Sequence, residues 1–267
     1  MLQEILKQCT VKKESIGFIV LLPEIQLERK MYLEVAKKLE DIGGKWNRKY
    51  KGFLYELDPS EYLFKIQDGE KINTKKEIQF YPTPENVARY LIRSFLSEIT
   101  IDKKVLEPSA GRGALIKTFH TYNNPNVIID YCEINELNKE YLKKLPNANF
   151  LQDNFLELNR KNFYDVIIAN PPFSKNQDID HFYKMWECLK EGGVIVSIMS
   201  KHWLISSNKK ESDFKAFLEK NNYVSYPLKQ GDFKESGTNI EAIIIKIEKP
   251  VNIMETENEI GQLSLFN

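Results

Sequence analysis

The chain has 267 residues, 42% of them hydrophobic, and its 38 basic side chains are matched by 38 acidic ones. That length allows one full α/β core with a smaller appended unit, while the lack of a long apolar run or a signal-peptide pattern argues for a soluble, cytoplasmic protein without a membrane role. Zero net charge gives no global basic field, so any affinity for nucleic acid has to be local; Cys9, Cys132 and Cys188 lack metal-ligand spacing and read as reduced thiols, with no metal site.

Residues 1–75 read as a small α/β unit. Residues 15–22 form a strand candidate and residues 28–42 a helix with Leu33, Val35, Ala36 and Leu39 on its apolar side, stopped by Gly43-Gly44. The following segment, Lys45-Trp46-Asn47-Arg48-Lys49-Tyr50-Lys51-Gly52-Phe53-Leu54-Tyr55, reads as a basic, aromatic hairpin. Basic side chains suit phosphates and aromatics suit unstacked bases, which makes Lys45, Trp46, Arg48 and Lys49 candidates for a nucleic-acid contact. An exposed charged turn over a small core has the same composition. A boundary is expected in the Gly69 and Lys/Asn/Thr-rich stretch at residues 68–76.

Residues 76–249 read as alternating strands and helices. Phe80-Tyr81-Pro82-Thr83-Pro84 leads into a helix over residues 85–96, with Pro84 near the first helical position. Val105-Leu106-Glu107-Pro108-Ser109-Ala110-Gly111-Arg112-Gly113 is a short strand, an acid and a glycine turn. Residues 127–133 form a second strand ending on Glu133, and residues 149–155 a third containing Asp153 and Phe155. The apolar run at residues 164–169 reads as a buried parallel strand, so Asn170-Pro171-Pro172-Phe173 sits at its carboxyl end, where open α/β sheets bind ligands. Two prolines stiffen that turn and remove its donors. The Asn170 side-chain carbonyl and nearby backbone carbonyls thus become acceptors for an amino group, and Phe173 offers a ring to a planar partner. Glu191-Gly192-Gly193 reads as a helix stop before another central strand ending at Ser200, after which Lys201, His202 and Trp203 border the same edge or simply pack as a loop. Phe233 and Thr238 precede a last strand at residues 240–247.

The glycine turn and the Asn-Pro-Pro-Phe turn together resemble the S-adenosylmethionine-dependent amino-methyltransferases that modify the 6-amino group of adenine in DNA, in their gamma order of motifs. The resemblance covers about residues 80–249. It implies a Rossmann-like class I methyltransferase fold, α/β, with a mostly parallel seven-stranded sheet and helices on both faces. It further implies that Tyr81 and Thr83 close over the methionine half of the cofactor. Glu107, Pro108, Ala110, Gly111, Gly113 and Asn170 would line its amino-acid end, Glu133 would take the ribose hydroxyls, and Asp153 the adenine amino group. Phe155 is a wall beside the adenine or part of the core. Asn170, Pro171, Pro172 and Phe173 would form the catalytic turn, acting on a base flipped out of the duplex, with Lys201, His202, Phe233 and Thr238 near that base. Gamma enzymes commonly carry target recognition after this core, yet only about 18 residues follow it, so recognition would come from the small amino-terminal unit, a partner, or a relaxed target.

The tail, residues 250–267, is polar and acidic until Gln262-Leu263-Ser264-Leu265-Phe266. This pentapeptide resembles the bacterial sliding-clamp-binding peptide, with Gln262, Leu263, Leu265 and Phe266 as its contact residues. An RNA amino-methyltransferase and a non-catalytic DNA or clamp adaptor on the same fold are the alternatives.

Overall fold

The computed structural model describes residues 1–55, 58–70, 83–229, 232 and 241–251. Phe80, Tyr81, Pro82, Phe233, Thr238, the expected boundary beyond residue 70, and Gln262, Leu263, Leu265 and Phe266 of the tail lie outside the described residues. The chain divides into two units, Met1–Phe80 and Tyr81–Asn267.

In the first unit, α1 (Leu2–Lys7) precedes β1 (Thr10–Glu14) and β2 (Gly17–Leu21), then α2 (Arg29–Asp41), β3 (Lys45–Asn47), β4 (Gly52–Tyr55) and α3 (Ser60–Gln67). The strands form an antiparallel sheet in the order β1-β2-β4-β3. Ile5 and Leu6 of α1, Val35, Ala36 and Leu39 of α2, and Leu63 and Ile66 of α3 pack with Val20, Phe53 and Tyr55 of the strands. Tyr55 Oη donates to the Leu39 carbonyl at 2.9 Å, joining β4 to α2. Leu33 is 56% exposed, because the core-facing stripe runs through Val35, Ala36 and Leu39, and Leu33 lies off it.

The second unit contains α4 (Glu85–Phe95), β5 (Val105–Glu107), α5 (Ala114–Tyr122), β6 (Ile129–Cys132), α6 (Glu136–Leu142), β7 (Ala148–Gln152), β8 (Tyr164–Ala169), α7 (Gln177–Cys188), β9 (Leu189–Ser200), α8 (His202–Ile205), α9 (Lys209–Lys220), β10 (Val224–Pro227) and β11 (Ala242–Glu248). The sheet order is β10-β11-β9-β8-β5-β6-β7. β5 through β9 pair in parallel, and β11 is antiparallel to both of its neighbours. This is the Rossmann-like class I methyltransferase fold, with a mostly parallel seven-stranded sheet covered on both faces.

Alternation along the strands builds the two layers. Val105, Ile129, Val166, Ile168, Val196 and Ile198 face α4, α5 and α6, whereas Leu106, Ile167, Ala169, Ile195 and Met199 face α7, α8 and α9. The α4 stripe of Val87, Ala88, Leu91, Ile92 and Phe95 has helical spacing and is buried throughout. Gly192-Gly193 does not stop a helix, as the sequence suggests. Helix α7 ends at Cys188, and Leu189 already pairs with Tyr164. Before Val194 pairs with Val166, the intervening residues bulge out of β9, with Gly192 at φ 72°. The two glycines serve a strand bulge, not a helix cap.

β5 has β6 on one side and β8 on the other. The helix after β5 covers one face and the helix after β8 covers the other. The carboxyl ends of β5 and β8 therefore flank the topological switch point, where this architecture opens a crevice. Among the described residues, no helix is long and apolar enough to cross a membrane, and no cluster of His, Cys, Asp and Glu side chains is placed to hold a metal ion.

Candidate active site

Glu107 ends β5 and is 1% exposed. Neither carboxylate oxygen has a hydrogen-bond partner of normal geometry. The backbone N–H groups of Ser109 and Asn170 lie near enough to favour its ionised form, but burial dominates and, with Glu133 nearby, pushes the carboxyl well above the usual range. A buried, unpartnered acid is costly to keep and suits a site that receives a cationic group.

Beyond Glu107 the chain turns through Pro108 and Ala110, both buried, to Gly111 and Gly113, whose φ values are 55° and 77°. Glycine takes that left-handed backbone with little strain. The turn is stitched to the end of β6: the Ala110 N–H donates to the Cys132 carbonyl at 3.1 Å, and the Gly111 N–H to Glu133 Oε2 at 2.6 Å. Glu133 Oε1 accepts from the Asn135 N–H at 2.7 Å. Each Glu133 oxygen thus holds one backbone donor, and carboxylate lone pairs remain for a hydroxyl pair. Burial raises the Glu133 carboxyl above its ordinary range despite these donors.

β7 ends at Gln152, not at residue 155, so Asp153 follows the strand instead of lying within it, and it has a partner that local pattern does not reveal. Lys139 of α6 reaches it with Nζ at 2.5 Å, also pairs with Glu136 at 2.7 Å, and lies over the Phe150 ring at 5.1 Å. The Lys139 side chain is only 9% exposed. Burial works against its charge, but the hydrogen bonds to Asp153 and Glu136 outweigh burial and hold its pKa above the ordinary lysine value. Of the two readings of Phe155, core is the one observed: it lies in a 3-10 turn, Phe155–Glu157, buried in the layer of α7 with its ring 5.6 Å from His181. Ile134, directly after Glu133, is exposed and not singled out from sequence. For Ile134 the available signal is an apolar residue directly after a strand-terminal acid.

Asn170 emerges from β8 across the switch point from Glu107. Its Nδ2 donates to Thr83 Oγ1 at 2.9 Å, which binds the catalytic-turn candidate to the segment before α4. Pro171 is buried, Pro172 half-buried, and Phe173 packs partly against the layer of α4 to α6. Lys201, His202 and Trp203 separate into different roles. Trp203 is core, edge-on to Phe214 at 5.3 Å, whereas His202 is exposed and Lys201 pairs with Glu241 at 3.4 Å. Within the first unit, β3 and β4 do form the hairpin, and Trp46 packs edge-on to Phe53 at 5.2 Å and Tyr32 at 6.3 Å. Lys45, Arg48 and Lys49 make no ion pair among the described residues.

The donor set at the switch point fits a cationic, hydroxyl-bearing adenosine derivative: an unpartnered buried acid, a glycine turn, a backbone-anchored acid and a further acid on three adjacent strands. Comparisons with known proteins agree with this chemistry. The chain is 32% identical over 111 residues to the Type II methyltransferase M.AccI of Acinetobacter calcoaceticus, a match covering 40% of this chain and 20% of that protein, so it spans about a fifth of that relative's length. Its fold resembles the type I restriction-modification system methyltransferase subunit from Streptococcus thermophilus, with TM-score 0.53, 18% identity, and coverage of 73% of this chain and 49% of that one. It also resembles a modification subunit assigned to a type I restriction enzyme of Vibrio vulnificus, with TM-score 0.52, 14% identity, and coverage of 92% and 64%. Residues 84–225, which hold every element from Glu107 to Trp203, match the family model of the methyltransferase small domain, and the chain belongs to that family.

Proposed function

We propose that the protein transfers a methyl group from S-adenosylmethionine to the exocyclic 6-amino group of adenine in DNA. The observation that carries this reading is the pairing of Asn170, oriented by Thr83, with the unpartnered carboxylate of Glu107 on opposite sides of the switch point. S-adenosylmethionine, when bound, supplies an electrophilic methyl group on a sulfonium. Glu107 takes the cationic amino-acid end, the turn through Pro108, Ala110, Gly111 and Gly113 admits a close approach, Glu133 takes the ribose hydroxyls, and Asp153 accepts from the adenine amino group.

The target nitrogen is a weak nucleophile because its lone pair is delocalised into the ring. Asn170 Oδ1 and the Pro171 carbonyl accept its two hydrogens and turn that pair out of the ring plane. The nitrogen is then aimed for direct displacement, with orientation supplying much of the rate. As the nitrogen–methyl bond forms, the methyl–sulfur bond would break to leave a neutral thioether, and the alkylated nitrogen, now acidic, would release one proton to solvent, so neutral acceptors suffice while the polar turn stabilises the charge that develops. A base stacked in duplex cannot enter such a turn, so it is flipped out onto Phe173, with Lys201 and His202 at the border of the same edge. Lys45, Trp46, Arg48 and Lys49 of the first unit supply a DNA contact, and the Gln262 to Phe266 peptide docks on the sliding clamp.

The test is expression of the wild type and Asn170→Ala in a methylation-deficient bacterium, with modified bases mapped by direct long-read sequencing. Adenine methylation at a defined sequence, lost in Asn170→Ala, is the expected result. Unmodified DNA from a folded protein that binds S-adenosylmethionine would overturn the DNA reading in favour of RNA; failure to bind the cofactor would favour an adaptor. Deleting residues 262–266 should abolish clamp binding and leave activity on naked DNA intact; retained clamp binding would refute the docking role.

A further inference from the structure

Two buried carboxylates that this chemistry leaves unused, Asp178 and Glu211, anchor the segment that leaves the catalytic turn. Asp178, in the first turn of α7, accepts through Oδ2 from the backbone N–H of Ser200 at 3.0 Å and from its hydroxyl at 2.7 Å. Glu211 of α9 is 1% exposed. Its Oε1 accepts from Asn176 Nδ2 at 2.7 Å and Asn208 Nδ2 at 3.3 Å, and lies 3.6 Å from His202 Nε2. The adjacent Lys210 Nζ donates to the Asn176 carbonyl at 3.0 Å and to Asp180 at 2.8 Å. Residues 174–178, which leave the catalytic turn, are therefore anchored twice, to the end of β9 through Asp178 and to the first turn of α9 through Glu211.

Glu211 occupies the third helical position of α9, where a capping glutamate would fold back onto the backbone N–H of its N-cap. Here that N–H, of Asn208, donates instead to Ser206 Oγ at 3.3 Å, and Glu211 reaches 35 positions back in sequence to Asn176. The segment it grips is conformationally unusual. Lys175 and Asn176 are successive non-glycine residues in the left-handed region, at φ 55° and 57°. Asparagine takes that backbone with little strain, whereas Lys175 holds it only where its surroundings over-determine it.

We infer that Glu211 is a positioning residue that braces one wall of the target-base site, holding the exit of the Asn170–Phe173 turn through Asn176 against the first turn of α9. The inference rests on the reading of that turn as the methyl-acceptor site. It explains why an acid outside the switch point is buried and hydrogen-bonded to Asn176 instead of capping its own helix.

The test compares Glu211→Ala, Glu211→Gln, Asn176→Gly and the double variant Glu211→Ala/Asn176→Gly. Glu211→Ala should lower kcat on DNA about tenfold or more and leave the Kd for S-adenosylmethionine within about twofold, because the brace touches the acceptor side only. Glu211→Gln, which keeps the acceptor for Asn176, should recover most of the activity. Asn176→Gly, which removes the amide but tolerates the backbone, should match Glu211→Ala, with no further loss in the double variant. Amide hydrogen exchange should accelerate at residues 174–178 in Glu211→Ala and stay unchanged in β5 and β6. Additive losses, a parallel loss of cofactor affinity, or unchanged exchange would each overturn the brace. If the wild type itself leaves DNA unmodified, the acceptor assignment fails, and the exchange measurement still decides the brace. If Glu211→Ala does not fold, Asn176→Gly and Glu211→Gln carry the comparison.

Discussion

Asn170 and Thr83 lie 87 positions apart and meet through a 2.9 Å hydrogen bond in which the asparagine amide donates and the threonine hydroxyl accepts. In this arrangement the amide nitrogen is the end turned to Thr83. With Nδ2 committed to Thr83, Oδ1 is the acceptor end of the catalytic turn. Thr83→Val, near in shape and lacking the hydroxyl, leaves the amide without that orientation. A loss of about one hydrogen bond's worth of transition-state stabilisation corresponds to a fall in kcat of about tenfold. Steady-state kinetics on an adenine-containing duplex, with cofactor affinity held as the control, checks this. An equal loss in cofactor affinity would mean that Thr83 also closes over the cofactor, as the resemblance implies, and would leave its orienting role unresolved by kcat alone.

Glu107 makes opposite demands on stability and binding. Its carboxyl is raised by burial, so between the ordinary carboxylate pKa and its own the folded chain keeps a proton that the unfolded chain has released. Stability then falls as pH rises through that window. Glu107→Gln removes the titration, and should melt higher than the wild type at about pH 8 with the difference shrinking toward about pH 4. Cofactor affinity runs the other way, since a cationic ligand prefers the ionised acid. Wild-type affinity should rise with pH, and Glu107→Gln should bind about tenfold or more weakly at neutral pH. Thermal melts and calorimetric titrations across that range test both signs.

Much of this site is legible in the sequence because it is local. The run from Tyr164 to Ala169 places Asn170 at a strand's carboxyl end without further information, and Glu107-to-Gly113 and Glu133 announce themselves by an acid or glycine directly after an apolar strand. What is not legible depends on long-range pairing. Nothing in the sequence around Lys139 says that its ammonium is buried against Asp153, and nothing around Glu211 points to Asn176. Strand β1 escapes pattern reading because Thr10-Val11-Lys12-Lys13-Glu14 has a single apolar residue; its pairing with β2 supplies what propensity does not. Gly192-Gly193 misleads because glycine marks strand bulges as readily as helix ends.

Asp153 is more exposed than its partner, with its side chain 58% accessible against 9% for Lys139. An ion pair with one partner that open contributes little to folding, so Asp153→Ala should change stability by no more than about 0.5 kcal/mol. Lys139 retains Glu136. If Asp153 accepts from the cofactor's adenine amino group, the same variant should weaken cofactor binding by about tenfold. Chemical denaturation and calorimetry on one preparation separate the two effects; a large loss of stability with unchanged affinity would make the pair structural only.

Gly113 combines a φ of 77° with a tight environment. A Cβ there would collide with Leu145 and come within 3.1 Å of Leu142 Cδ2, both at the far end of flexible side chains. Those side chains have room to give only at the expense of packing, and the backbone strain stays whatever they do. Gly113→Ala should therefore cost about 1–3 kcal/mol in denaturant unfolding. It should also impair cofactor binding, because the same residue starts α5 directly beside the Gly111–Glu133 contact.

The hairpin of the first unit is testable through its charge. Asn47 Oδ1 accepts from the N–H groups of Lys49 and Tyr50, and Lys51 takes a left-handed backbone, so the turn carrying Arg48, Lys49 and Lys51 is ordered by its own hydrogen bonds. Trp46 is committed in part to packing against Phe53 and Tyr32, which makes its removal ambiguous between folding and binding. Replacing Arg48, Lys49 and Lys51 by alanine avoids that ambiguity. If the hairpin lies on phosphates, DNA affinity should fall, and the slope of log affinity against log salt should flatten by about one for each phosphate left without its basic partner. Cofactor affinity and the melting temperature should stay at their wild-type values. Unchanged affinity at low salt would make the turn a solvated surface loop and leave target recognition to another part of the protein or to a partner.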